Sequence, residues 1–187
     1  MKILKNRIFA VGATILIMIA STLTNVHSTL GAECRTIADS FYNGVFNDSW
    51  GTASRSIQSQ LDRRCEAANG LATMVTNYPE LSDFATLLRE KRTAILNTQG
   101  IADKYSANVD LQVAFNTLYS ALDELSLTAR DREMLSEYGG IFRGAQNVIL
   151  NSGYNEAVRE FARTTLDVFP ANILIRAAGL EPLELFE

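Results

Sequence analysis

The sequence predicts an all-α protein, an elongated up-and-down bundle of four helices that follows an N-terminal signal or anchor segment. Three observations lead there. Apolar residues recur at spacings of three and four over most of the chain, which is the helical period. Proline occurs only at 79, 170 and 182, so residues 81–169 hold no proline to break a helix. Alternating runs of the kind that form strands are missing, and so is a Gly-rich phosphate loop. A chain of 187 residues, 47% apolar and 20% charged, suffices for one packed domain and a targeting piece.

The targeting piece is read at residues 1–33, with the bundle over 34–187. Lys2, Lys5 and Arg7 precede an apolar run of 13 residues at 8–20, IFAVGATILIMIA. A bilayer span takes about 20 mostly apolar residues, so the run has the length of a signal-peptide core. Cleavage fits after Ser28, with Val26 and Ser28 at the small-residue positions, or near Ala32. An uncleaved anchor reaching Leu30 through polar Ser and Thr fits as well. In either case the basic flank leaves the rest of the chain outside the cytoplasm, membrane-anchored or periplasmic and secreted. Lipidation of Cys34 is disfavoured, because Glu33 stands where a small residue is wanted.

The helices follow in order. In the first, Ile57, Leu61, Cys65, Ala68, Leu71, Val75 and Tyr78 share a face that leaves out Arg55, Asp62, Arg63 and Glu66. Pro79 stops or restarts it, since the residue before proline avoids the α region. Leu81, Phe84, Leu88 and Ile95 form the second stripe, with Gly100 expected to close it. After IADKYSANVD, Leu111, Phe115, Leu118, Leu122 and Leu125 form the third. Thr128 with Asp131 resembles a capping arrangement that opens a fourth helix, and Gly139 with Gly140 predicts a kink or short break within it. Tyr154, Val158, Phe161, Thr165 and Val168 make the last long stripe. Pro170 then starts a short helix over 171–178, which Gly179 ends. The apolar tail after it is expected to fold over the open end of the bundle rather than touch a membrane.

Chemistry is harder to find. The single histidine, His27, lies in the targeting segment, so neither a Glu-x-x-His di-metal site nor a zinc site can be assembled; no cofactor is expected. Cys65 has no histidine base in the domain and reads as a small buried apolar side chain. On one continuous helix Cys34 and Cys65 would stand about 46 Å apart, against the roughly 7 Å that a disulfide tolerates. A bridge would need a chain reversal at YNGVFNDSWG, and none is expected. The carboxylate pairs Asp123/Glu124 and Asp131/Glu133 sit beside arginines at helical spacing, as on a solvated face. Residues 1–33 hold three of the 17 basic and one of the 21 acidic side chains, so the remainder has 14 against 20 and a charge of −6. That balance argues against nucleic acid as a partner.

Two segments nevertheless form a pattern. IQSQLDRRCEAANGLATMVTNY, residues 57–78, resembles the signature helix of the LemA family through Ile57, Gln60, Leu61, Arg63, Arg64, Leu71, Val75 and Tyr78. YNEAVREF at 154–161 resembles that family's last helix, and FPAN with Gly179 and the terminal FE resembles its closing segment. The chain departs from the pattern in places. Asn69-Gly70 replaces an Asn-Pro, Trp50 sits one turn early, Ala162 replaces an Asn, and the span from Tyr154 to Phe169 is about one residue longer. The chain is thus identified as a divergent member. The resemblance implies a membrane-tethered helical bundle with no known enzymatic activity, and marks Tyr154, Asn155, Phe169 and Pro170 as structural positions.

Arg63 and Arg64 are the candidate interaction residues. They read either as snorkelling surface arginines paired within the chain, to Asp62, Glu66 or another helix, or as a grip on a partner's carboxylate or phosphate. Ala67, Ala68 and Gly70 would let a second helix approach closely, from within the bundle or from a partner. The expected function is that of a non-enzymatic interaction or scaffold module at the cell envelope, with protein partners there. The alternative is a periplasmic bundle that binds a small molecule or lipid between helices or under residues 173–186. A carboxylate hydrolase, with two carboxylates about 5 to 9 Å apart in a cleft, comes last.

Overall fold

The computed structural model describes residues 7–44, 46–47, 52–53, 55–169, 171–179 and 182–187. Among the described residues the regular structure is helical apart from a two-residue antiparallel ladder, in which Phe46 pairs with Ala53 and Asn47 with Thr52. The first helix, α1, runs unbroken over Arg7–Asn43, through Ser28 and Ala32, and Gly44 ends it at φ 77°, a left-handed turn that costs glycine little. The ladder reverses the chain within YNGVFNDSWG, so Cys34 and Cys65 lie on separate helices and the expected continuous helix is interrupted there. Both thiols are free and buried. Trp50 lies outside the described residues. Two compact units divide the chain, one drawn from Met1–Ala38 and Glu156–Leu183, the other from Asp39–Asn155 and Glu184–Glu187.

The second unit holds the longest helices after α1: α2 (Ile57–Met74), α3 (Ser82–Asn97), α4 (Ile101–Asp123) and α5 (Ala129–Leu150). Ser56 opens α2, its Oγ accepting from the Ser59 N–H at 3.1 Å. The α2 helix packs against α3, α4 and α5 and is buried over a wide arc, from Ile57 and Leu61 through Ala67, Ala68 and Leu71 to Val75. Two short 3₁₀ turns, Val75–Asn77 and Pro79–Leu81, carry the chain from α2 to α3 around Tyr78, so Pro79 restarts the helix as expected. Leu81, just before α3, and Leu88 and Ile95 on it mark a buried edge together with Ala85, whereas Phe84 is exposed. That expectation fails because Phe84 lies a single step from Ala85, and the narrow seam takes the smaller side chain. Arg89 and Arg92 of α3 donate to the main-chain carbonyls of Ala72 and Cys65 on α2, at 2.8 and 3.2 Å.

Two expectations about glycine are corrected. Gly100 does not close α3, which ends at Asn97 with Thr98 extended; it stands at the N-cap of α4. The segment IADKYSANVD is accordingly the first part of α4, with Ile101, Lys104 and Asn108 buried. Likewise α5 runs straight through Gly139 and Gly140 without a break. Gly139 is there for room, because a Cβ on it would meet the Tyr119 ring of α4 at 2.6 Å. Thr128 caps α5 as expected, its Oγ1 accepting from the Asp131 N–H at 3.1 Å.

Gly153, at φ 73°, turns the chain into α6 (Tyr154–Phe161). The expected long last helix leaves the α-helical pattern after Phe161 but stays helical to Leu166. Ala162–Leu166 forms a π turn, closed by the Asp167 N–H on the Ala162 carbonyl at 2.9 Å. Each step of such a turn takes up one more residue than an α-helical step and rotates the chain beyond it. Tyr154 and Val158 are buried and Phe161 half-buried, but Val168 and Phe169 are 48% and 75% exposed, so the stripe does not reach them. The short helix α7, Ala171–Ala177, ends before Gly179 at φ 67°, close to the expected bounds. Pro170, expected to start it, lies outside the described residues.

Candidate functional site

Three features could carry function: a buried arginine, a docked C-terminus and a cavity. Among the described residues Arg64 is the largest fully buried side chain, paired within the chain to residues of other helices as one expectation had it, but not at the surface. It does not snorkel, it pairs with no carboxylate, and it offers no charge to a partner. The stripe Gln60, Arg64, Ala67, Leu71 runs at spacings of four, three and four beside the apolar one and turns the guanidinium inward. Its Nη1 donates to Asn108 Oδ1 on α4 and to Gln146 Oε1 on α5, and its Nη2 donates to Gln112 Oε1 on α4. The guanidinium carbon lies 4.0 Å from the Phe142 ring centroid, and the opposite face of that ring stacks on Phe115 at 3.7 Å. Its Nε has no partner.

This cage is neutral. Three amide dipoles and a π face stabilise the cation without neutralising it, and burial pulls the guanidinium down to about 10, still charged at neutral pH. Gln112 hands the polarity outward through its own Nε2, 3.0 Å from Asn116 Oδ1. Arg64 therefore locks α2, α4 and α5 together. The signal in the sequence that points to it is the stripe itself, which places Arg64 on the same face as Gln60 and Leu71. Arg63, next to it, is exposed, with Nη1 3.4 Å from Gln60 Oε1. Of the small residues, Ala67 and Ala68 are buried within the unit. A Cβ on Gly70 would meet the Tyr138 ring of α5 at 2.5 Å. The close approach thus serves α5 of the same chain.

Tyr154 and Asn155 come together with the end of the chain. The Asn155 amide bonds the Phe186 main chain twice, Nδ2 donating to its carbonyl at 2.9 Å and Oδ1 accepting from its N–H at 2.8 Å. Tyr154 donates its hydroxyl to the Glu184 carbonyl at 2.8 Å, and burial first, then the Glu184 charge, pushes its phenol up to about 12. The Glu184 carboxylate accepts from the Ile101 N–H at 2.6 Å and the Ala102 N–H at 3.2 Å. These are the first N–H groups of α4, where Gly100 supplies no side-chain cap. The Phe186 ring is buried against Phe41 and Tyr105, with centroids 5.5 and 5.3 Å apart. The terminal residues thus cap α4 from 83 positions away, which no local motif could reveal. Phe169 takes no part in this arrangement.

Within the other unit, a cavity of about 330 Å³ is lined mainly by apolar atoms, including Cys34, Val158, Leu166, Ile175 and Leu183. Asn172, also on its wall, has a buried Oδ1 without a hydrogen-bond partner. Elsewhere Cys65 is buried and its thiol raised to about 11, chiefly by burial, which is the state of an inert core thiol. The Asp131 carboxylate accepts from Tyr78 and Thr128 at 2.7 and 2.9 Å. Among the described residues no group of three or more His, Cys, Asp or Glu side chains is placed to hold a metal. No family model matches the chain, and no curated protein matches it.

Proposed function

We propose that this chain is a divergent LemA-like protein, a non-enzymatic helical bundle that works by contact at the cell envelope. In this reading α2 to α5 form an up-and-down four-helix bundle. The connections of three and five residues, 98–100 and 124–128, are the lengths that join antiparallel neighbours. One observation carries the proposal. The α1 helix is long and apolar enough over Ala10–Asn43 to cross a membrane, and Val11 and residues 15–19 leave their large apolar side chains exposed. A helix apolar on all sides suits lipid, as an uncleaved anchor would. The remainder faces outward from the cytoplasm, where its partners are proteins and not nucleic acid.

The scaffold reading is supported by how the charged interior is arranged, with Arg64 consumed by the fold and Arg63 left on the surface as the candidate contact. Cell fractionation with N-terminal sequencing tests the anchor: an intact N-terminus in the membrane fraction is expected, and a mature chain starting near residue 29 or 33 in the soluble fraction would refute it. Crosslinking in intact cells tests the contact role. Recovery of the same partners from wild type but not from Arg63→Glu is expected, and an identical pattern from both would remove Arg63 from the interface. A second reading, a small-molecule or lipid carrier, draws on the 330 Å³ cavity, which lies at the small end of ligand pockets. Lipid extracted with the purified chain, and lost on Ile175→Trp, would favour it.

A further inference from the structure

The docked terminus has the features of a ligand in a peptide-binding site. Glu184–Glu187 forms no helix, turn or bend, and the surrounding residues read it at alternate positions, as an extended peptide is read: a carboxylate at 184 and a ring at 186. Main-chain bonds from Tyr154 and Asn155 fix its register without regard to side chains. The receptor is complete without the segment. Phe41 comes from the end of α1, Ile101, Ala102 and Tyr105 from the first turns of α4, and Tyr154 and Asn155 from the start of α6.

Residues 182–187 belong to no helix, so departure of the segment would unwind none. It would instead leave two N–H donors at the α4 N-terminus, both Asn155 amide groups and an aromatic slot in need of partners. A peptide of similar chemistry satisfies all three at once. A carboxylate two residues before an aromatic, on an extended backbone, is the required pattern.

We infer that this cleft is a binding site for an extended peptide of the pattern Glu-x-Phe, held closed by the protein's own residues 184–187 and opened by exchange for the same pattern on a partner. The inference rests on the contact role proposed above and names the partner's chemistry. A cis segment at high effective concentration sets a threshold that only a partner of higher affinity or local concentration crosses.

The test uses the full chain in detergent micelles and a fluorescent peptide, EPLELFE. Phe186→Ala, which empties the aromatic slot, is expected to bind the peptide saturably, and the wild-type chain at least tenfold more weakly. A peptide with Ala in place of its Phe, or Gln in place of the Glu two residues before it, is expected to lose that binding. A folded Phe186→Ala chain that ignores the peptide overturns the inference. If the variant fails to fold, hydrogen exchange on the wild type decides. Exchange of the Phe186 amide at least a hundredfold faster than that of Leu111 supports exchange in place, and equal protection overturns it. Partners crosslinked in cells without peptide binding would remove the latch and leave the scaffold; peptide binding without partners would do the reverse.

Discussion

The interior of the helical unit and the ends of its helices solve the same problem by different means. Around Arg64, a full charge is buried on α2 and held by neutral amides and a phenyl face. At the N-termini of α4 and α5 the charge is partial, and the carboxylates of Glu184 and Asp131 stand in the first turn, half in water. The difference teaches where pH can act. Amides do not titrate, so the interior is fixed across the physiological range, whereas the α5 end, through Asp131, answers to acid. Removing the interior charge is therefore expected to have the largest effect. Arg64→Ala leaves a cavity and three amide oxygens without their donor, at a cost of about 3–5 kcal/mol. Arg64→Met refills the volume and recovers part of it. Urea unfolding at pH 5 and pH 8 should give the same deficit for either variant; a deficit that changes with pH would mean that a carboxylate has a share in the cage.

A smaller effect separates two adjacent glycines of α5. Gly139 is buried, and an added methyl meets a Tyr119 ring that is itself held by Phe115 and by Arg143, 5.3 Å from its centroid. Gly140 faces open space. Gly139→Ala is expected to destabilise by about 1–3 kcal/mol through overpacking, and Gly140→Ala to stabilise by about 0.5–1 kcal/mol through helix propensity. Thermal unfolding of the two variants decides: a shift of the same sign in both would show that propensity, not the approach of α4, governs this stretch.

The range of the forces involved decides how much is legible in the sequence. The α2 stripe and the Thr128 cap are readable because each is settled within one or two turns. That stripe turns Arg64 inward, but what receives it is not readable, because its amide partners lie 44, 48 and 82 residues away and neutral residues give no charge pattern to trace. Gly100 reads as a helix end because the carboxylate that completes the α4 start arrives from Glu184. Gly139 reads as a kink because propensity is local and its reason, the Tyr119 ring, is not. The last stripe runs out after Phe161, where a π turn takes up an extra residue and rotates the face away, a change that no spacing of apolar residues announces.

The ends give the smallest effect and the most specific one. Thr128→Ala removes the side-chain acceptor for the Asp131 N–H and is expected to cost about 1 kcal/mol, the usual worth of such a cap. Asp131 adds a pH signature. Hydrogen bonds from Tyr78, then Thr128, hold its carboxyl below the ordinary value of 3.8. A lowered folded pKa means that the unfolded chain takes up the proton first, so the contribution is complete above that ordinary value and fades as the pH falls through the folded one. Stability measured from pH 6 down to pH 2 should therefore fall less steeply in Asp131→Asn than in wild type, with Tyr78→Phe lying between because one of the two hydrogen bonds remains. Parallel acid limbs for all three would show that the carboxylate is simply solvated. The helix end would then be held by Thr128 alone.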